Sequence, residues 1–129
     1  KNSSFDIVVP SMVSKNPSSK SLVKVVFAEN GKVLYFSRAV IPYDYKNKKI
    51  KYYKDLSIVS FKPSALKKFS KLKMSNLEKI EGIELIRALE NNLNIGTFIA
   101  KGTSFSVDVN EDLLKAIDVM PKNPIRKKY

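Results

Sequence analysis

The chain has 129 residues, enough for one domain spanning 1–129 with a sizeable core, and 43% of them are hydrophobic, which excludes global disorder. It has no cysteine and no histidine, which excludes disulfides, thiolate chemistry, imidazole bases and imidazole metal sites; any metal should be a hard cation held by oxygens, magnesium first. A formal net charge of +12 invites a polyanion, yet only Arg38, Arg87 and Arg126 among the 24 basic residues are arginines, and base reading favours guanidinium forks, so a nucleic-acid site ranks below a solvated lysine surface or an attraction for small anionic substrates.

No apolar run approaches the ~20 residues of a membrane helix, and the polar opening "KNSS" lacks the apolar stretch of an export signal, so a soluble cytoplasmic protein is expected. The chain opens on Lys1 and not on methionine, as a processed or excised piece would.

In chain order, Phe5 to Val9 is predicted as a short strand ended by Pro10, with the Ser/Lys/Pro-rich 11–21 as a loop. Residues 22–38 carry two β-rich runs around Asn30-Gly31, a pair whose tolerance of positive φ suits a hairpin turn. After a loop at 39–49, the stretch 50–61 holds one or two strands with Ile58 and Phe61 in the core, and Pro63 opens a short helix. Ser75 and Glu78 have the spacing of a capping box at the head of the longest predicted helix, 74–92, with Leu77, Ile80 and Ile83 on its apolar face. Strands are expected at 94–100 and 104–107, a last helix from Asn110 to Val119, and a loose tail. Strands alternating with helices predict an α/β fold with a mixed sheet, in which ligands sit beyond the carboxyl ends of strands.

Four features have the residue types for chemistry. Asp108 and Glu111 form a D-x-x-E box at a helix start, which fits a cap or a metal ligand. Ser37-Arg38 directly follows an apolar strand, where the guanidinium would fork onto a carboxylate or join a surface salt bridge. Glu84, one turn before Arg87, has the spacing of an exposed ion pair. Tyr43, Tyr45, Tyr52 and Tyr53 interleave with lysines, an arrangement that stacks bases or packs in a sheet. No glycine-rich phosphate cradle of either the G-x-x-x-x-G-K-[ST] or the G-x-G-x-x-G type is present.

Three segments, "VKVVFAENGKVLYFSRAVIPYD", "NLEKIEGIELIRALENNLNI" and "SFSVDVNEDLLKA", together resemble the C-terminal half of the 3-deoxy-manno-octulosonate cytidylyltransferase (CMP-Kdo synthetase) family. The resemblance runs from Leu22 to Ile117 and rests on Y-F-S-R-x-x-I-P at Tyr35 to Pro42, L-E-x-I-E-x-x-E-x-x-R-A-L at Leu77 to Leu89, and V-D-x-x-E-D-L at Val107 to Leu113. It implies a Rossmann-like nucleotidyltransferase fold and an enzyme that transfers CMP from CTP to an acidic sugar and releases pyrophosphate, using magnesium, in the cytoplasm and for lipopolysaccharide or capsule biosynthesis. By position it implies that Arg38, beside Ser37, holds the sugar carboxylate, that Glu84 binds sugar hydroxyls, and that Asp108 ligates magnesium, leaving Asn110 as the helix cap. It also implies a homodimer, and the exposed hairpin edge "KVLYF" would otherwise be a pairing hazard.

Two departures shape the expectation. Where the family has H-x-G-x-Y, this chain reads Asp55-Leu56-Ser57-Ile58-Val59, and the family's E-Q pair is Glu84-Leu85. The lost polar groups predict an altered acidic sugar, amino-substituted and paired with Asp55. The family's N-terminal half, with its CTP loop and second magnesium aspartate, has no counterpart in the sequence, so this chain alone is expected to be inactive. The alternative is a non-catalytic basic binding or assembly module on the same fold.

Overall fold

The β-branched run Ile7–Val13 forms the central strand, β1, of a mixed six-stranded sheet in a computed structural model that describes residues 4–102, 104, 107 and 110–122. β1 does not end at Pro10 but runs three residues beyond it. The strand facing it is interrupted there: β1 pairs antiparallel with β4 (Tyr53–Asp55) through Ser11↔Asp55, and with β5 (Ser60–Phe61) through Val8↔Ser60. Pro10 lies opposite the break and accepts the Leu56 N–H through its carbonyl at 3.1 Å, so its missing N–H vacates no ladder position. β6 (Ile95–Ile99) pairs with β1 in parallel from Ile7↔Ile95 to Ser11↔Ile99.

The expected hairpin is β2 (Lys24–Phe27) and β3 (Val33–Ser37). Its turn closes through Gly31 N–H donating to the Ala28 carbonyl at 2.8 Å, and of the Asn30-Gly31 pair only Gly31 takes a positive φ, +82°. The Asn30 side chain instead accepts the Lys32 N–H at 3.0 Å. β2 joins β4 at Lys24↔Lys54, which leaves β3 at the sheet edge.

Helix α1 (Pro63–Phe69) starts on its proline as expected. The single long helix does not form: it is α2 (Asn76–Glu81), with the Ser75/Glu78 capping box in place, and α3 (Leu85–Glu90). Gly82 separates them with left-handed φ 63° and ψ 42°, a conformation only glycine adopts at little cost. The kink rotates the two apolar faces apart. Ile83, Leu85, Ile86 and Ala88 enter the core, whereas Leu77 and Ile80, expected beside them, are exposed, Ile80 by 78%. Ile58 is likewise not core but 63% exposed, because it sits in the break between β4 and β5; Phe61 does pack against the core. The longest described helix is α4 (Asn110–Val119), with the expected bounds. The strand expected at 104–107 falls mostly outside the described residues, as does the tail beyond 122.

Ile7, Val9, Val25, Val33, Phe36, Ile86 and Ile95 form the center of the core between the sheet and α3. Gly82→Ala is expected to cost about 1–2 kcal/mol in urea denaturation, the left-handed penalty of a Cβ, while Lys79→Ala on the exposed face of α2 leaves the midpoint unchanged.

Candidate functional site

Two polar residues end β3 and a carboxylate ends α2, and the fold ties them together. Ser37 Oγ donates to Glu81 Oε1 at 2.7 Å and Arg38 N–H donates to Glu81 Oε2 at 2.9 Å, so both oxygens are used. Arg38 Nε then donates to the Glu81 carbonyl at 2.9 Å, Nη2 to the Gly82 carbonyl at 3.4 Å, and Nη1 to the carbonyls of Lys20 and Ser21 at 3.1 Å each. The guanidinium is therefore a fixed cation that clamps backbone, not a loose fork. Sequence reasoning passed over Glu81. The signal was available: a carboxylate in the last turn of a helix opposes the dipole and needs a compensating partner.

Beneath this knot Lys24 is fully buried and its ammonium donates to the carbonyls of Ser19, Leu22 and Arg38. Burial holds its pKa below the ordinary lysine value, the Arg38 guanidinium adds to that, and Glu81 partly opposes it. Lys24 and Arg38 together grip four successive carbonyls, Ser19 to Leu22.

Asp55 closes β4 at the strand break, where Ser57 takes φ +57°. The backbone N–H groups of Ser57 and Leu56 lie near its carboxylate and favor the charged form, yet Oδ1 is buried with no partner among the described residues. Burial raises its pKa above 3.8, and the nearby Glu84 carboxylate raises it further. Glu84 stands exposed just past the Gly82 kink, at the head of α3. The anticipated Glu84/Arg87 pair is absent: Arg87 turns inward, with Nε 3.5 Å from Glu78 Oε2 and the guanidinium 4.5 Å over the Phe69 ring. No side-chain hydrogen bond or ion pair holds Glu84 among the described residues.

The fold thus brings Asp55 within electrostatic reach of Glu84, and links Ser37 and Arg38 to the segment that carries Glu84. Asp108 lies outside the described residues. Among the described residues no three acidic side chains gather as a metal-binding group. The tyrosines divide: Tyr43 and Tyr45 are exposed, whereas Tyr53 packs edge-on against Phe27 at 5.0 Å. Among the described residues no helix is long and apolar enough to cross a membrane.

Because the folded state raises the Asp55 pKa, folding favors its neutral form, and stability falls as pH rises from 3.8 through the folded value. Asp55→Asn is expected to raise Tm at neutral pH, and the gain should vanish below pH 3.8, where the aspartate is neutral in both states. An equal gain at all pH values, by thermal melts across the range, would rule out charge burial as its cause.

The chain as a whole has relatives among known proteins. The sequence profile of a family described as cytidylyltransferase matches residues 2–95. The chain is 43% identical over 119 residues to a 3-deoxy-manno-octulosonate cytidylyltransferase of Rickettsia canadensis (strain McKiel), covering 91% of this chain and 47% of that protein. It is 41% identical over 125 residues to the Rickettsia typhi (strain ATCC VR-144 / Wilmington) protein of the same name, covering 95% and 50%. A solved CMP:2-keto-3-deoxy-manno-octonic acid synthetase complexed with CTP superposes with a TM-score of 0.84 at 29% identity, over 92% of this chain and 50% of that one. The chain spans about half the length of these relatives and matches their C-terminal half. With the profile covering most of the sequence and the mixed α/β fold shared, the chain belongs to the cytidylyltransferase family.

Proposed function

We propose that this chain is the sugar-binding half of an enzyme that transfers CMP from CTP to a 2-keto-3-deoxy sugar acid, releasing pyrophosphate. The observation that carries the reading is the 0.84 TM-score over 92% of the chain to a synthetase solved with CTP, joined to 43% identity with a relative named for that transfer. In the reaction the anomeric hydroxyl oxygen bonds to the α-phosphorus of CTP, the α–β phosphoanhydride bond breaks, and the hydroxyl proton is released.

The residues of this chain would act on the sugar. Arg38, held rigid by carbonyls, offers the sugar carboxylate a pre-oriented positive charge, and Ser37 fixes the Glu81 carboxylate beside it. Glu84, unpaired at the α3 head, accepts from sugar hydroxyls. The buried free oxygen of Asp55 accepts from a donor-bearing substituent, and its closeness to Glu84 favors an amine, whose positive charge would lower the cost of two neighboring carboxylates. Asp108 would be one magnesium ligand, with the others supplied by the part of the protein matching the relatives' other half. That cation would offset charge on the α-phosphate.

The same proposal includes a cytoplasmic location and a homodimer; β3 at the sheet edge, with Leu34 exposed, is a strand able to pair with a copy of itself. The decisive test co-titrates the complete protein with CTP, magnesium and a panel of ulosonic acids, with and without an amino group, reading pyrophosphate. Turnover is expected, fastest with an amino sugar; none with any acid would favor a non-catalytic assembly module. Asp108→Asn should abolish magnesium-dependent turnover with folding intact, and Glu84→Gln should raise KM for the sugar while leaving KM for CTP unchanged. The chain of 129 residues alone should release no pyrophosphate.

A further inference from the structure

We propose that a second cleft, on the sheet face opposite Asp55, binds a small oxyanion of the phosphate or carboxylate class. Lys54 and Asp55 are consecutive in β4, so they leave the strand on opposite sides; Lys54 lines this cleft and Asp55 does not. The cleft, about 690 Å³, lies between the 12–22 segment, the end of β6 and α4, within the size range of small-ligand sites.

Two of its lining groups are buried and incompletely satisfied. Lys54 is 9% exposed, and its ammonium, which has three donors, has one acceptor among the described residues, the Ser104 carbonyl at 2.7 Å. Ser14 is 8% exposed, and its hydroxyl is buried with no partner among the described residues. Donors left unsatisfied in a low-dielectric wall are costly, and an anion supplies the acceptors both lack. Lys15 lines the cleft as well, and α4 contributes the opposite charges Asp112 and Lys115, so the lining is net cationic. The wall from Ser19 to Leu22 is preformed, because Lys24 and Arg38 hold its carbonyls. A bound anion would then meet fixed donors and lose little affinity to loop ordering.

The test is a titration of the ¹⁵N-labeled chain with inorganic phosphate, and separately with citrate, at constant ionic strength set by chloride. Saturable amide shifts are expected at Ser14, Lys54, Gly102 and Ser104, with Gly82 and Glu84 unmoved; whichever anion binds more tightly identifies the source. Lys54→Met should weaken that binding about tenfold, as loss of a charge-assisted donor does. Ser14→Ala, which leaves the fold intact by the same spectrum, should weaken it several-fold. Shifts that grow linearly without saturation for both anions, shifts centered on Gly82 and Glu84, or affinity indifferent to Ser14→Ala would overturn the proposal.

Discussion

A carboxylate at the end of a helix sits against the negative pole of the peptide dipoles, and Glu81 occupies that place because it has better partners elsewhere. Its two oxygens take the Ser37 hydroxyl and the Arg38 amide, and its carbonyl takes the Arg38 side chain. Hydrogen bonds to a charged group are worth about 1.5–3 kcal/mol each, more than the unfavorable dipole term of roughly 0.3–1 kcal/mol. This exchange joins the end of an edge strand to a helix more than forty positions away, and it fixes where the chain emerges into the Gly82 kink. Glu84 and the head of α3 are placed by that exit. The opposite end of the Arg38 side chain holds the Lys20 and Ser21 carbonyls, so one residue aligns β3, α2 and the loop that walls the second cleft.

Lys24 completes the frame from below. A buried ammonium is tolerated only if its donors are met, and three carbonyls meet them here. The sheet therefore carries two cations, one buried and one at the surface, whose main work is to fix backbone. Against that rigid frame two carboxylates stand out among the described residues: Asp55, whose Oδ1 is buried with no partner, and Glu84, which is exposed with no side-chain partner. Functional sites concentrate such groups, because a ligand supplies what the fold withholds.

Much of this was legible in the residues. The hairpin, the capping box at Ser75, the proline start of α1 and the bounds of α4 follow from local signals, turn chemistry and side-chain periodicity, and the structure has them. What failed was non-local. Pro10 reads as a strand end until the break in the facing strand removes the demand for its N–H. The helix predicted over 74–92 runs through Gly82, whose left-handed conformation ends α2 just after Glu81. Ile58, Leu77 and Ile80 look like core by hydrophobicity, and their exposure follows from those same two irregularities. Arg38, Ser37 and Glu84 were singled out from motif position, whereas Glu81, which binds Ser37 and Arg38, stood out only once its partners were visible.

The most direct measurement is amide hydrogen exchange of the chain with Glu81→Ala. If Glu81 organizes the frame, the Arg38 amide should lose protection by about tenfold or more, while amides of β1 paired with β6 keep theirs. Unchanged protection at Arg38, in a variant whose β1 amides are equally intact, would contradict the central role given to this carboxylate.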